Sequence, residues 1–452
     1  MWNAPLKNKK KKMNMRLKVK FLVLGLIGFG SVSAQEMLTK QEAIEETLQN
    51  NFGIEIAKND LEIADNNKGI LNSGFLPSLT GLAGGNYNLE NQEVTFNDGS
   101  TNIVDGAETT QYNASLNLNY TLFDGLGRWY NYKSLKENYD LGELQARQTI
   151  ETTILQLFSV YYEVARITEN IEVLKQTFEN TKTRLTRAGY AFDYGQVNKL
   201  EVLNAEVDIV TDSINLLNAK QLLRNTKRDL TVVLNTDLQR NFEVDTTVAF
   251  IGELQIEQFI QKSDTNNVRL LQARKNITIT DYNYKASKSV FLPSIGLNGS
   301  YGWNKGEFPV TSFSSSRTTT GFAAGLSLTW DLFDGGRGIT TVKNLRIQKD
   351  SQQLVLKQVE NEVKRDVANS NDAYQNRLEV FRLQEQNVVT ATNNYERSQE
   401  RYKLGQITSV ELRQAQINLL NAKTNKNLAK YEAKLAELEL LQLTGQLLNI
   451  DF

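Results

Sequence analysis

Histidine and cysteine are both absent from the 452 residues. Their absence excludes disulfides, thiolate chemistry and the Ser-His-Asp and Cys-His mechanisms, and it removes the usual zinc, copper and haem ligands. Only carboxylates, Lys, Tyr, Ser and Thr remain for chemistry. No cofactor, metal or catalytic set is expected. Proline is scarce, four residues in all, against an average usage of about 5%. That scarcity favours long uninterrupted helices. No apolar run approaches the 18 residues that a membrane-spanning helix needs, so any membrane insertion must use strands.

Net charge is −1, from 51 basic and 52 acidic residues, but the balance is uneven. Eight basic residues lie in the first 20 positions, and no acid precedes Glu36. Residues 35–452 carry 43 basic against 52 acidic side chains. Nucleic-acid binding rests on Lys and Arg neutralising phosphates, so it is not expected of so acidic a chain.

The N-terminus reads as an address. Lys7 to Lys20 are basic, Phe21 to Phe29 are apolar, and Val32-Ser33-Ala34 offers a small-residue cleavage site. This order predicts a secretory signal peptide over residues 1–34. Nine apolar residues are too few to span about 30 Å of hydrocarbon. No cysteine follows the cleavage site, so a lipid-anchored mature chain is not expected.

The remainder is written twice. Phe75-Leu76-Pro77-Ser78 returns as Phe291-Leu292-Pro293-Ser294, 216 residues later. Leu122-Phe123-Asp124-Gly125 returns as Leu332-Phe333-Asp334-Gly335 at an offset of 210. Gly195-Gln196-Val197, Glu201 and Ala205 return at the same offset as Gly405-Gln406-Ile407, Glu411 and Ala415. Order and spacing hold throughout, which predicts a duplicated domain. One unit covers about 38–237 and the second about 263–449, with a junction at 238–262.

Each unit holds a pair of alternating segments. Tyr112, Ala114, Leu116, Leu118, Tyr120 and Leu122 alternate with Gln111, Asn113, Ser115, Asn117, Asn119 and Thr121. Phe322 to Leu332 and Ile295 to Trp303 repeat the pattern, and Leu79 to Leu89 is a weaker, glycine-rich version. Strands are expected at about 77–90, 111–123, 293–304 and 320–332. Polar loops, Asn91–Glu108 and Lys305–Thr319, join them. Alternation over 10–12 residues with aromatics near the ends fits transmembrane barrel strands. A soluble sheet with one wet face is the alternative. Four strands cannot close a barrel, and open edges are not tolerated in lipid. Membrane strands would therefore have to be shared among several chains.

The stretches 128–194 and 338–404 contain no proline. Ile154, Leu157, Tyr161, Val164, Ile167, Ile171, Leu174 and Phe178 follow one another at steps of three and four, a near-heptad seam. About 67 residues at 1.5 Å each give a rod of roughly 100 Å. A second helix follows each, beyond a glycine, so helical-hairpin tips are expected at about 190–200 and 402–410. Asn198 and Thr408 or Ser409 are candidate caps, and Glu411 falls in a first helical turn, where the helix dipole favours an acid.

The order of helix, strand pair, long helix, Gly tip and returning helix, written twice behind a signal peptide, resembles the TolC-like outer-membrane efflux protein family. The resemblance runs over nearly all of residues 38–449. Its carriers are the duplicated F-L-P-S and L-F-D-G segments and the tips Tyr194-Gly195-Gln196-Val197 and Arg401 to Ser409. It implies a mainly α fold with β, in which a long coiled-coil helical barrel continues a transmembrane β-barrel formed by a homotrimer with four strands per chain. It implies a non-enzymatic, passive exit duct for efflux or type I secretion. Such a duct sits in the outer membrane of a Gram-negative cell, in outer-membrane lipid, with a long periplasmic extension. Its partners would be a periplasmic adaptor (membrane fusion) protein and an inner-membrane pump of the RND or ABC kind.

The same resemblance assigns roles. Glu411, Gln414, Glu201 and Tyr402 match the pore-aperture positions, with Gln414 where an acid is typical. Gly195, Gln196, Val197, Gly405, Gln406 and Ile407 match the adaptor-docking tips. Ile407 stands where family members carry an arginine that helps tie the tip shut. The competing readings are a structural coiled-coil envelope protein without a pore and an exported enzyme using paired carboxylates.

Overall fold

A computed structural model describes residues 36–450. The expected signal segment, 1–34, lies outside the described residues. The elements run β1 (Glu36–Leu38), α1 (Lys40–Asn50), α2 (Phe52–Asn67), β2 (Ser78–Thr95), β3 (Thr101–Phe123), α3 (Gly127–Asp193) and α4 (Lys199–Leu234). They continue through β4 (Phe242–Val244), α5 (Glu253–Gln261), a single turn α6 (Ser263–Asn266), α7 (Val268–Ser287), β5 (Ser294–Glu307) and β6 (Ser316–Thr329). The chain closes with α8 (Arg337–Lys403) and α9 (Ser409–Leu443). The two long helices, α3 and α8, are each 67 residues.

The duplicated tetrapeptides mark the corners between helix and strand. Pro77 and Pro293 stand one residue before β2 and β5, where a missing N–H costs no ladder bond. The Asp of L-F-D-G receives the start of the following helix. Asp124 Oδ2 accepts from the Arg128 amide at 2.9 Å, and Asp334 Oδ2 from the Gly338 amide at 2.6 Å. Both are first-turn amides with no intrahelical partner.

Four of the strands form one antiparallel sheet in the order β2-β3-β5-β6. Its register places Leu116, Tyr301 and Phe322 in one row, and Tyr120, Leu297 and Leu326 in another. The other face carries rows such as Asn119, Asn298 and Gly325. Both faces are bare. Leu116 is 53% exposed and Leu326 71%. A soluble antiparallel sheet buries its apolar face. This one leaves it uncovered, which suits hydrocarbon rather than water.

The strand ends differ from those expected. The segment 91–108 is mostly a continuation of β2 and β3 across a bulge between Glu90 and Gln92, so only Phe96–Ser100 remain as a turn. The segment 305–319 likewise shortens to 308–315, and the last strand ends at Thr329 rather than 332. Before Thr110, β3 does not pair with β5, and the extended β2–β3 hairpin is met instead by the 308–315 segment, where the Thr311 hydroxyl donates to Gln92 Oε1 at 2.7 Å. Most side chains of this extension are exposed, and its apolar and polar residues do not alternate, so it leaves no period-two signal.

At the other end of the sheet the helices pack lengthwise. The seam residues Ile154, Leu157, Tyr161, Val164, Ile167 and Ile171 are buried. Around them lies a core of Leu38, Phe158, Tyr162, Leu230, Leu234, Phe242, Tyr431 and Leu438. Full burial of each large side chain stabilises by about 1.5–3 kcal/mol. The junction 238–262 supplies β4, which pairs in parallel with β1, and α5, which seals a second core at Ile256. The parallel pair ties the first described residues to the junction between the two copies.

Candidate aperture at the hairpin tips

Each hairpin turns on one glycine. Gly195 and Gly405 both have φ of +70°, and open space surrounds each. The amides that follow reach back over the helix ends, Gln196 to the Ala191 carbonyl at 2.8 Å and Gln406 to the Arg401 carbonyl at 2.9 Å. This is the 6→1 closure of a helix C-terminus. Asn198 then caps α4 by accepting from the Glu201 amide at 3.3 Å, and Thr408 caps α9 by accepting from the Glu411 amide at 3.2 Å.

The two acids at equivalent positions are held differently. Glu411 completes a capping box, its Oε2 accepting from the Thr408 amide at 2.7 Å and from the Thr408 hydroxyl at 2.9 Å. The Thr408 amide, followed by its hydroxyl, holds the Glu411 carboxyl below the usual carboxylate range. Glu201 instead faces the space between the hairpins. Together with Tyr402 it lines two cavities of about 240 and 520 Å³. Burial, and then the nearby Glu201, pushes the Tyr402 phenol upward. The Arg187 guanidinium lies 5.7 Å from the Tyr402 ring centroid and donates to the Lys403 carbonyl at 3.0 Å.

The tertiary structure gathers Glu201, Tyr402, Glu411, Gln196, Val197, Gly405, Gln406 and Ile407 around the larger cavity. Gln414 is not among its lining residues. Its amide is exposed and donates to Asn418 Oδ1 at 2.9 Å. Ile407 joins a small apolar cluster of Tyr395, Leu412, Ala415, Tyr402 and Leu419. An isoleucine there packs the tip from within.

A charged network that sequence reasoning missed lies beside this cavity. Arg413 on α9 makes a bidentate pair with Asp212 on α4, at 2.7 and 2.9 Å. The Thr181 hydroxyl on α3 donates to the same carboxylate at 2.6 Å. Arg413 Nε lies 3.4 Å from Asp208, which also pairs with Arg184 of α3. Arg184 reaches the Ser409 carbonyl at 3.3 Å. Asp212 is 3% exposed and Arg184 6%. One signal was available. These charges stand where the other copy, 210 residues away, carries Leu203, Ala422, Asn418 and Asn394.

Among the described residues, no cluster of acids is arranged to hold a metal, and no helix is long and apolar enough to cross a membrane. A model of the outer membrane efflux protein family matches residues 43–236 and 259–446. The chain is 23% identical over 387 residues to outer membrane protein TolC of Vibrio cholerae, covering 84% of each. It is 22% identical over 443 residues to outer membrane protein TolC of Escherichia coli, covering 94% of this chain and 85% of that one. The fold is similar to that of the CmeC outer membrane channel of Campylobacter jejuni, with a TM-score of 0.73 at 18% identity over 90% of this chain and 86% of that one. It is also similar to the fold of the outer membrane protein VceC of Vibrio cholerae, with a TM-score of 0.71 at 16% identity over 90% and 96%.

Proposed function

Since the chain belongs to the outer membrane efflux protein family, we propose that three copies of it assemble into one gated exit duct. The observation that carries this reading is the sheet. Its edges, β2 and β6, are open, and its apolar face is bare. Three copies supply 12 strands, enough to close a barrel and remove every edge from lipid. A second feature agrees. Leu200, Leu203, Val207, Val210, Ile214 and Leu217 form an exposed heptad stripe on α4. A neighbouring copy would cover it, and the helices would close into a tunnel continuous with the barrel.

The duct carries out no chemistry in this reading. An inner-membrane pump supplies the energy, and a periplasmic adaptor docks on the tips around Gly195-Gln196-Val197 and Gly405-Gln406-Ile407. Glu201, Tyr402, Glu411 and Gln414 surround the aperture. Three Glu411 carboxylates brought together repel one another at short range, so the closed aperture favours bound cations or opening. A coiled-coil envelope protein without a pore would have no use for a bare apolar sheet.

Native mass spectrometry of protein extracted from outer membranes in mild detergent tests the assembly, and conductance in planar lipid bilayers tests the pore. The expected results are a mass of three mature chains and ion flow across the bilayer. A stable monomer, or a trimer that never conducts, would overturn the reading.

A further inference from the structure

We infer that the groove between α3 and α7, next to the sheet, binds the phosphate of an anionic glycerophospholipid from the outer-membrane leaflet that faces the helices. The inference deepens the duct reading above, since it needs the sheet to lie in a membrane.

The groove begins where the sheet ends. Trp129, Lys133 and Lys136 follow one another at steps of four and three, so they share one face of α3. The Lys133 ammonium lies 5.1 Å from the Trp129 ring centroid and 5.7 Å from that of Tyr282 on α7. Lys136 lies 4.4 Å from the Tyr132 ring centroid. Among the described residues, neither lysine has a carboxylate partner. The acids nearby are engaged elsewhere, Glu137 and Asp140 by Lys275 at 2.7 and 2.6 Å, and Asp281 by Lys285 and Lys349 at 2.7 Å each. The rings hold the two ammonium groups in place without neutralising them.

This face points away from the lumen. Helix α3 meets α7 through Ser134, whose hydroxyl donates to Asn283 Oδ1 at 2.9 Å, and α2 through Gly142, which lies against Leu61 and Ala64. Two faces of α3 remain between those contacts. One carries Asn131, Asn138 and Gln145, all exposed and uncharged. The other carries Trp129, Lys133 and Lys136. In line with Trp129 and about five turns beyond it stands Arg147. Arg147 donates to the Asn266 and Gly445 carbonyls at 3.2 and 3.0 Å. The segments around Asn266 and Gly445 therefore pack on the lysine-bearing face. Inside a ring of helices they would block the passage, so that face is the outer one and the amide-bearing face lines the lumen.

Depth and charge both fit lipid. Helix α3 starts at the rim of the sheet, and Lys133 stands about 9 Å along it. Helical side chains lean toward the N-terminus, which here is toward the sheet. The Lys133 ammonium thus reaches back into a headgroup layer roughly 5–7 Å deep. Trp129 is 46% exposed, and Trp330, whose indole donates to the Phe291 carbonyl at 3.2 Å, is 53% exposed. Tryptophans of this kind mark a membrane–water boundary. The segments at this rim, 126–139, 282–292 and 335–349, carry nine basic side chains against one acid, Glu137. The stretch at the other end of the sheet, 90–108, carries five acids and no base. An anionic headgroup is attracted at the first rim and repelled at the second.

Native mass spectrometry of protein extracted from outer membranes and stripped of copurified lipid tests the site. The probes are phosphatidylglycerol and phosphatidylethanolamine with the same acyl chains. The wild type should hold one phosphatidylglycerol per chain, several-fold more tightly than phosphatidylethanolamine. Lys133→Gln with Lys136→Gln should bring the two lipids level, and Lys133→Arg with Lys136→Arg should keep the preference. Lys357→Gln with Lys364→Gln removes the same charge from exposed positions further along α8 and should change nothing. Excess inorganic phosphate should not displace the lipid, because the apolar rim holds its acyl part.

Equal binding of both lipids by the wild type would overturn the inference. So would an unchanged preference in the glutamine variant, an equal loss in the α8 control, or displacement by inorganic phosphate. The groove lies within one chain, so lipid is counted per chain whatever the oligomer. A conducting trimer without the preference leaves the duct standing, and a monomer that keeps the preference removes the duct but not the site.

Discussion

Thr408 and Glu411 hold each other in a reciprocal pair. The Thr408 hydroxyl accepts the Glu411 amide while the Glu411 carboxylate accepts the Thr408 amide. The side chain assigned to the aperture by resemblance therefore also starts its own helix. The two roles separate by substitution. Glutamine can accept from the Thr408 amide as glutamate does, but without charge. If three carboxylates set ion preference, Glu411→Gln and Glu411→Ala should both lower cation preference and raise conductance, as read from reversal potentials in bilayers. Wild-type behaviour in Glu411→Gln alongside a change in Glu411→Ala would leave only the capping role.

The same pair has a pH dependence of known sign. The Glu411 carboxyl is held below its ordinary value of 4.5 by the Thr408 amide and hydroxyl. A depressed carboxyl contributes stability that is fully present above the ordinary value and is lost as pH falls through the lowered one. Hydrogen exchange in the segment 404–412 should therefore rise below about pH 4.5 in the wild type, relative to Glu411→Gln at the same pH. Equal exchange in the two proteins throughout would refute the pairing.

Two glycines with the same backbone twist should respond unequally to alanine. At Gly405 a Cβ meets open space, and only the left-handed conformation is penalised, by roughly 1–2 kcal/mol. At Gly445, φ is +68° and a Cβ would lie 2.2 Å from the Asn266 carbonyl oxygen. Backbone cannot step aside there. Gly405→Ala should form trimers that keep their heat resistance on gels, while Gly445→Ala should lose assembly.

Removal of one oxygen should loosen the link between β1 and the junction. The Tyr161 hydroxyl donates to the Leu38 carbonyl at 2.8 Å and accepts from the Asp245 amide at 2.9 Å. Tyr161→Phe leaves both groups short of a partner, at a cost of about 1–3 kcal/mol in a denaturant titration. Burial pushes this phenol up to about 12. A raised group contributes stability that is intact below its ordinary value of 10 and is lost only as pH climbs through the raised one. The loss on substitution should thus be the same at pH 6 and at about pH 8.

Much of the architecture was legible because periodic burial writes itself into sequence. The seam from Ile154 to Ile171 is spaced at threes and fours because one side of a helix meets its neighbour. Leu116 and Asn117 differ because adjacent residues of a strand face opposite sides. The tip glycines are legible through the turn each must make. The β2–β3 extension was not legible, since most of its side chains are exposed and its apolar and polar residues do not alternate.

The site divides in the same way. Glu201, Glu411 and Tyr402 were named through the repeated tips and a resemblance, and the fold brings them around one cavity. The amino-acid sequence by itself determined the duplication and the helix and strand periods, because each is a local pattern or a matter of counting. Tertiary structure alone decided that Arg413 meets Asp212, 201 positions away. An ion pair between helices has no period, and only the packing of α9 against the first hairpin brings its two charges out of water together.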